Sequence, residues 1–333
     1  LPGPSSTQSI IAVGHKVGGS LLALLTMVVW ALPVILLMTF FSFLGRIFDP
    51  ASVEKAFRFI GPMAVGFILL AAIRISRKVV KDKLTLLLLL FGAVLTYFFK
   101  APWVFPLALI FGGFMSVITS KEKNLWNKVK LSPPWPYFIA FLVFALGLVF
   151  LRSITHNTYV GLLESFYRYG YLVIGGGQVV VPMMYTELVE VEHLLTSQEF
   201  LTGFGLVQGM PGPMFSFSSY AGALASKAGG PMVQAIMGVL SGLFVFLPGM
   251  LLIFFVYPIW ERLKSIRGIK VSLKGITAVA GGLLVTAGLL LLQRSGFNAL
   301  NLVVTAITMV LLYTKKVPAP VIVVLTVLLG IFL

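Results

Sequence analysis

The sequence has no cysteine and few charged residues, and these two shortages exclude most classes of soluble protein. Without cysteine the chain has no disulfide, no thiolate nucleophile and no cysteine-ligated metal. Charged residues make up 11% of the 333 residues, against about 25% in typical soluble domains, so a water-soluble globule could not cover its surface. Apolar residues make up 59%, which excludes a disordered chain because disorder requires low hydrophobicity.

The common catalytic motifs are also missing. The chain has two aspartates, Asp49 and Asp82, and contains neither His-Glu-x-x-His nor Gly-x-Ser-x-Gly. A Gly-x-x-x-x-Gly-Lys-Ser/Thr loop does not occur either, so we do not expect ATP to drive this protein directly. The sequence therefore predicts that the protein is not an enzyme and has no cofactor and no metal site.

The chain does have an excess of positive charge, with 25 Lys and Arg against 10 Asp and Glu. In a soluble protein this excess would suggest nucleic acid, but in an apolar chain it is typical of loops at the cytoplasmic ends of membrane helices. The basic residues cluster in four segments, 74–83, 121–130, 262–274 and 315–316. We expect all four segments in the cytoplasm and expect no nucleic-acid partner.

Apolar segments of nearly membrane-spanning length recur along the chain, and they predict an all-α polytopic membrane protein in a lipid bilayer. Glycine and proline interrupt several of them, for example at Pro33, Gly112-Gly113 and Pro182. Broken helices are tolerated in a membrane only where protein or a water-filled cavity satisfies the backbone, so the interruptions favour a transporter or channel over an anchor. The predicted segments are residues 20–45, 56–73, 84–99, 101–118, 136–151, 159–185, 201–227, 231–258, 271–293, 297–313 and 317–333.

The two halves of the chain share glycine and proline motifs in the same order, which indicates an internal duplication. We predict a first transmembrane repeat at residues 1–120, a basic cytoplasmic linker at residues 121–135 and a second transmembrane repeat at residues 136–333. The matched pairs are Leu1-Pro2-Gly3-Pro4 with Met210-Pro211-Gly212-Pro213, Gly18-Gly19 with Gly229-Gly230, Ala64-Val65-Gly66 with Val279-Ala280-Gly281, and Lys100-Ala101-Pro102 with Lys316-Val317-Pro318.

The comparison of the repeats leads to two further expectations. The second repeat has about 75 residues before its Pro-Gly-Pro motif that the first lacks, so we expect the natural chain to start about 75 residues earlier. The basic segment 262–274 aligns with residues 46–58 and not with the basic segment 74–83. Since basic loops mark the cytoplasmic side, equivalent loops lie on opposite sides, which predicts inverted repeats with broken or re-entrant helices at the Pro-Gly-Pro motifs.

The region from Tyr159 to Ala225 is the least lipid-like and carries the motifs that identify a family. The combined pattern resembles the signature of the chromate ion transporter family, and the resemblance covers essentially the whole chain. The motifs that carry it are Gly175-Gly176-Gly177, Pro182, Leu195-Thr196 with Glu199-Phe200, Gln208 before Pro211-Gly212-Pro213, and Leu1-Pro2-Gly3-Pro4-Ser5-Ser6-Thr7-Gln8 in the first half. Gln178, which follows the glycine triplet, departs from the family pattern. Met214 and Phe215 depart from the family pattern, where small or amide side chains are more usual, and this departure concerns which anion is transported.

The resemblance implies a duplicated, inverted secondary transporter for an inorganic oxyanion in the bacterial inner (plasma) membrane. Chromate is the first candidate substrate and sulfate the second. It also implies that Gln178 and Gln208 lie near the substrate. Coupling to protons and exchange for a counter-anion both stay open, as does a homodimer. The alternatives are an anion channel, or a membrane scaffold subunit that transports nothing.

The residues independently favour an anion site at the two Pro-Gly-Pro motifs. Proline suits the first turn of a helix, so each motif predicts a helix start whose free N–H groups and positive dipole end attract an oxyanion. The predicted site residues are Pro4, Ser5, Ser6, Thr7 and Gln8 in the first half and Pro213 and Ser216, with Ser218 and Ser219, in the second. The alternative is that the motifs only break helices and the serines pack between helices.

Two further groups are candidates between the motifs. Gly175, Gly176 and Gly177 allow positive φ and a backbone nest for an oxygen, with a tight helix crossing as the alternative. Arg168 and Glu164 lie four residues apart on one helix face. Arg168 would attract the dianion, and Glu164 would compensate its charge when the site is empty; the alternative is an interfacial helix whose long side chains reach water.

The remaining ionisable residues are assigned to loops. Glu187, together with Glu164, is a candidate for coupling to protons, although a solvated loop suits Glu187, Glu190 and Glu192 better because no basic residue is near them in the sequence. We expect His15, His156 and His193 in surface loops as well; the sequence places no histidine in the predicted site.

Overall fold

The computed structural model describes residues 4–99, 101, 103–122, 124–126, 129, 132–173 and 180–332, and the side chains of these except residues 4–6 and 261. Within these ranges every regular element is helical, which confirms the predicted all-α class. The α-helices are α1 (Pro4–Phe41), α2 (Leu44–Ile47), α3 (Pro50–Phe57), α4 (Ile60–Val79), α5 (Lys83–Phe98), α6 (Val104–Ile118), α7 (Trp135–Thr155), α8 (Thr158–Tyr171), α9 (Val181–Tyr185), α10 (Ser197–Gln208), α11 (Phe217–Ala225), α12 (Pro231–Val256), α13 (Trp260–Leu263), α14 (Arg267–Ser295), α15 (Ala299–Thr314) and α16 (Ala319–Phe332).

In the described part of the chain, five helical segments are long and apolar enough to cross a membrane, and α5, α6, α15 and α16 are shorter apolar helices. The most apolar stretches of the segment that ends with α4 and of α14 are each 67% buried, whereas that of α7 is 6% buried. The first two therefore form the centre of the bundle, and α7 lies at its edge with its apolar side chains facing outward. The five segments are Thr7–Phe41, Pro50–Val79, Trp135–Thr155, Pro231–Ile259 and Arg267–Ser295.

The first helix, α1, folds back on itself as a hairpin. Its regular conformation is broken at Gly18 and at Gly19 (φ 72°, ψ −165°), and Gly14 of the first arm lies against Ala23 of the second. A positive φ with an extended ψ is a conformation that only glycine adopts at low cost. Gly19 is therefore the residue that permits the bend, and the arms before and after it form what we call the first hairpin.

A second hairpin is formed by α11 and α12. A short 3₁₀ turn, Lys227–Gly229, joins them, and Gly230 (φ 90°, ψ 172°) starts the second arm. Gly222 of α11 lies against Ser241 of α12. Gly230 has nearly the same backbone conformation as Gly19, so both hairpins bend at the glycine pairs that the sequence comparison matched.

The four basic segments lie at one end of the bundle, which we call the basic end. Lys274 at the start of α14 donates to Asp82 before α5 over 2.6 Å, and the Arg74 guanidinium donates to the carbonyl of Leu312 near the end of α15. The linker reaches the same end, because the Gly268 N–H donates to the carbonyl of Leu125. The hydrogen bond from Lys274, with further donors from Thr85, lowers the pKa of Asp82 to about 2.

The tips of the two hairpins lie at opposite ends. Ser20, at the first tip, hydrogen-bonds the Tyr137 hydroxyl at the start of α7, which follows the basic linker. Lys227, at the second tip, accepts a hydrogen bond from Arg46 through its carbonyl and pairs with Glu199 over 2.8 Å. We call this end, which also carries the Arg294–Glu190 ion pair, the opposite end.

The central helices pack mainly on helices from the other half of the chain. α14 packs on α5 and α6, and α4 packs on α15 as well as on α14. Small residues allow the close approach: Gly275 of α14 lies against the backbone of Gly112 in α6. In the matching contact, Gly66 of α4 lies against Thr305 of α15, whose hydroxyl donates to the carbonyl of Pro62 over 2.9 Å.

The helix bounds differ most from the predicted segments in the region before the second hairpin. The apolar segment 159–185 is not one helix, because α8 ends at Tyr171 and α9 begins at Val181. The segment 201–227 is likewise divided by a turn after Gln208. Uniform hydropathy does not show these breaks, because both sides of each break are apolar.

Candidate functional site

Both Pro-Gly-Pro motifs lie at helix starts. α10 ends at Gln208, the chain turns, and Pro213 (φ −74°, ψ 129°) caps the 3₁₀ helix Met214–Ser216, which leads into α11. In the first half, α1 begins at Pro4, and Pro2 and Gly3 lie outside the described residues. At the second motif, the first backbone N–H groups are thus those that a helix start leaves without helical partners.

A small cavity of about 30 Å³ joins the two helix starts. Thr7 and Gln8 line it from the first hairpin, Phe215 from the 3₁₀ turn of the second, and Gly170 from α8. Phe246 of α12 closes it on the apolar side. This volume holds about one water, so the cavity is closed in this structure, but it brings together residues from both motifs.

Several buried polar groups around the two helix starts have no hydrogen-bond partner among the described residues. They include Thr7 Oγ1, Ser216 Oγ, Ser218 Oγ and Gln208 Nε2. Thr7 is 4% exposed, and Ser216 and Ser218 are fully buried. An unmet buried donor costs about 1–3 kcal/mol, so these groups have hydrogen-bonding capacity that the described protein atoms leave unused.

The serine of the second motif that lies deepest in the hairpin has a packing role. Ser219 Oγ lies against Gly242 of α12, as Ser241 does against Gly222 of α11. These contacts are those of small residues at a helix crossing. For Ser219 the structure therefore fits the packing alternative, whereas Ser216, at the helix start, has no such contact with a glycine.

Arg168 lies at the centre of a buried ion-pair network. Its guanidinium donates to Glu164 over 2.8 Å and to Glu187 over 2.7 Å, and its side chain is 19% exposed. Arg152, from the last turn of α7, donates to the other oxygen of Glu164 over 2.8 Å, and Ser165 donates to Glu187 over 2.7 Å. Arg168 is thus paired inside the protein: Glu164, its predicted partner, contacts it, and so does Glu187, which the sequence did not pair with any basic residue.

The loop interpretation of the acidic residues is wrong for Glu187. It lies in a π-helical turn, Thr186–Val191, that continues α9, and it is 3% exposed. Glu190 pairs with Arg294 over 3.2 Å, and Glu192 with Arg152 over 3.1 Å. Each basic partner comes from a distant helix, which is why the local sequence gave no sign of the pairing.

The loop interpretation is also wrong for His15. It lies in the first arm of α1 and stacks on Phe254 of α12 with ring centroids 4.9 Å apart. His156 and His193 do lie between helices, both with positive φ. Of these histidines none lines the small cavity.

Two larger cavities open near the ion-pair network at the opposite end. One, of about 220 Å³, is lined by Arg152, His156, Ser165, Glu187 and Glu192. The other, of about 670 Å³, is lined by Tyr185, Glu190, Lys227 and Arg294 among others. Glu187, although buried, is therefore at the wall of a space that water can enter.

The structure leaves part of the predicted site undescribed. Gly175, Gly176, Gly177 and Gln178 lie outside the described residues, and so do the side chains of Ser5 and Ser6. The sequence did not single out Arg152 or Ser165, which complete the network; the one signal for Arg152 was an arginine at the end of an apolar segment. Among the described residues, no cluster of histidine and acidic side chains could hold a metal ion.

These features define a class: a polytopic helical membrane protein with two helical hairpins, in which residues near both helix starts line a small, mostly apolar cavity within the bundle. The family model described as Chromate transporter matches residues 1–117 and 160–331. The chain belongs to this family. The family is one of transporters and not of enzymes, and the protein is accordingly a multi-pass protein of the plasma membrane.

Individual relatives agree with this assignment. An uncharacterized transporter of Methanocaldococcus jannaschii is 25% identical over 95% of this chain and 78% of its own length. A probable chromate transport protein of Synechococcus elongatus is 24% identical over 99% of this chain and 82% of its own. A chromate transport protein of Cupriavidus metallidurans is 24% identical over 99% of this chain and 79% of its own. No solved structure matches the chain significantly.

Proposed function

We propose that the protein is a secondary active transporter of an inorganic oxyanion, with chromate as the first candidate and sulfate as the second. The anion is held near the middle of the membrane by the N-termini of the two helices that begin at the Pro-Gly-Pro motifs. The observation that carries this proposal is the cavity that Thr7 and Gln8 of one motif share with Phe215 of the other, next to buried hydroxyls without partners.

The chemistry of the two helix starts beside the cavity suits a tetrahedral oxyanion. Helix N-termini carry a partial positive charge and present N–H groups, so they bind oxyanions without a full counter-charge. Thr7, Ser216 and Gln208 add neutral donors that the protein itself does not use. Neutral donors compensate an anion without trapping it, and a transporter must release its substrate as well as bind it.

Arg168 would contribute through its charge. In this structure two carboxylates, Glu164 and Glu187, occupy its guanidinium, which is the compensation expected of an empty site. A dianion in the cavity would compete with these carboxylates for the positive charge. Gly175, Gly176, Gly177 and Gln178, which follow α8 in the chain and lie outside the described residues, are the further candidates for the site.

The two hairpins support a duplicated, inverted architecture. Their tips lie at opposite ends, Ser20 beside Tyr137 at the basic end and Lys227 beside Arg46 at the other. With residues 1–120 and 136–333 as inverted repeats joined by the linker 121–135, each hairpin would give access from one side of the membrane. This is the arrangement on which alternating-access transporters are built.

A channel is the second candidate function, and the cavity volume weighs against it. A channel needs a continuous path for ions, whereas the cavity at the helix starts has a volume of about 30 Å³. A closed central cavity with larger cavities of about 220 and 670 Å³ at one end suits a transporter that opens to one side at a time.

Uptake of radiolabelled chromate and sulfate into proteoliposomes tests the proposal. Ser216→Ala and Thr7→Val each remove one hydroxyl donor, and at about 1.5–3 kcal/mol per hydrogen bond to a charged group we expect uptake to fall about tenfold or more. Ser153→Ala, which removes an exposed hydroxyl on α7, is the matched control and should leave uptake unchanged. Unaltered uptake by both site variants would contradict the helix-start site, and uptake by the intact protein that no gradient alters would contradict secondary active transport.

A further inference from the structure

One helix, α8, lines two separate cavities. Near its end, Gly170 lines the small cavity at the helix starts. One to two turns earlier, Gly161, Leu162 and Ser165 line the cavity of about 220 Å³ that opens at the opposite end. Between these two positions, Arg168 projects from the helix to Glu187. A change of charge at Glu187 therefore acts on the same helix that borders the proposed anion site.

Glu187 and Glu164 differ in their access to water and in their partners. Glu187 lines the open cavity, whereas Glu164 is not among its lining residues. Glu164 accepts from two guanidinium groups, those of Arg152 and Arg168. Glu187 has one, that of Arg168, together with the Ser165 hydroxyl. Of the two buried carboxylates, Glu187 is thus the one that lines the open cavity and that depends on a single guanidinium.

We infer that Glu187 is the proton-binding carboxylate of this transporter, that the cavity at the opposite end is its route to water, and that the oxyanion and the proton bind together. This inference rests on the proposed oxyanion transport and adds the coupling ion to it. The step is the binding of one proton from water to one carboxylate oxygen of Glu187, with no other bond formed or broken.

The electrostatics of the network link the two binding events. With both carboxylates ionised, the Arg168 charge is compensated inside the protein. A proton on Glu187 removes one of its two negative partners, which leaves positive charge available to a dianion beside α8. Conversely, an anion that attracts Arg168 away leaves Glu187 buried without its counter-ion, and a carboxylate in that situation binds a proton. Each ligand therefore favours the other, which is the condition for symport.

The other charged and titratable groups around Glu187 fit this assignment. From α8 it faces Arg168, Glu164 and Tyr169. Across the cavity of about 220 Å³ lie Arg152, His156 and Glu192, and Arg152 is held by the two glutamates other than Glu187. The remaining charges of the cavity are thus paired with one another, and the pairing of Glu187 depends on Arg168.

The test is a paired measurement of anion and proton movement in proteoliposomes that contain a pH-sensitive dye. With the intact protein, an inward gradient of chromate should acidify the interior, and uptake should be faster at an external pH of about 6 than at about 8, because each ligand favours the binding of the other. With Glu187→Gln, the ratio of protons to anions should fall at least tenfold and the pH ratio of uptake should approach one, at whatever rate the variant retains. Glu54→Gln, an exposed carboxylate on α3, should behave like the intact protein.

Each result bears on one of the two proposals. Chromate uptake by the intact protein without acidification, or a Glu187→Gln variant that keeps its proton-to-anion ratio, would overturn the assignment of Glu187 and leave the oxyanion site standing. Absence of anion uptake by the intact protein would overturn both. If Glu187→Gln does not fold, the intact protein can be labelled with a carbodiimide, which reacts with protonated buried carboxylates. We expect severalfold more modification of Glu187 with chromate than without. Equal labelling would contradict the linkage between anion binding and proton binding.

Discussion

Replacing Arg168 by glutamine should destabilise the folded protein by about 3–5 kcal/mol, the range for removing one partner of a buried ion pair. The variant leaves Glu164 and Glu187 buried, with side chains 8% and 3% exposed, and deprives both of their shared guanidinium. The upper part of the range applies because two carboxylates, and not one, lose a partner, although Glu164 keeps its bond to Arg152.

Arg152→Gln is the matched control for this prediction. The Arg152 side chain is 39% exposed, and its loss leaves Glu164 paired with Arg168, so we expect a cost of about 0–1 kcal/mol. Equilibrium unfolding in detergent micelles, followed by circular dichroism at neutral pH, measures both variants. The double variant Arg168→Gln with Glu187→Gln should recover part of the loss, because one unpaired charge is then removed. Equal costs for the two arginines would refute the reasoning that burial decides the energy of these pairs.

Two further predictions concern the hairpin bend and the basic end. Gly19→Ala and Gly230→Ala should each lower the free energy of unfolding by about 1–3 kcal/mol, because both positions have positive φ. Gly147→Ala on the exposed α7 should instead raise it by about 0.5–1 kcal/mol. Equal thermal stability of all three variants would contradict the assigned bends. Because Lys274 lowers the pKa of Asp82 to about 2, the pair should stabilise the protein fully above pH ~4 and lose its effect as the pH falls through about 2. The effect is below about 1 kcal/mol for so exposed a pair, and Asp82→Asn should reduce the difference in stability between these two pH values by that amount.

The sequence predicted the helical class and the helix start after the second Pro-Gly-Pro motif, since both depend on local chemistry. Its interruptions at Pro33 and Gly112-Gly113 are wrong, because these residues lie inside α1 and α6 with no break at either position. Pro213 precedes a helix start and Gly230 a bend, because proline fixes φ and glycine tolerates the bend conformation. The bend at Gly19 falls at the glycine pair that the repeat comparison matched with Gly229-Gly230. The glycine triplet at 175–177 stays a prediction, since it lies outside the described residues.

The contacts of the charged residues could not be predicted in the same way, because they join residues far apart in the chain. Glu187 has no basic residue near it in the sequence, and its partner Arg168 lies 19 residues earlier. Arg152 and Glu164 are 12 residues apart and belong to different helices. Which helix faces meet could be predicted only from a helical period in the hydrophobicity of the sequence. Segments that are apolar on all sides have little such periodicity. Hence Glu187 and His15 were assigned to loops, although both are in helices.

The central helix of each half packs on helices of the other half, and this limits how the protein can be assembled. Since α14 rests on α5 and α6, and α4 rests on α15, neither half contains the surface that covers its own most buried helix. A gene fragment that encoded one half alone would insert a bundle with its central helix uncovered. Split versions of the protein should therefore work only when both pieces are synthesised together and meet in the same membrane.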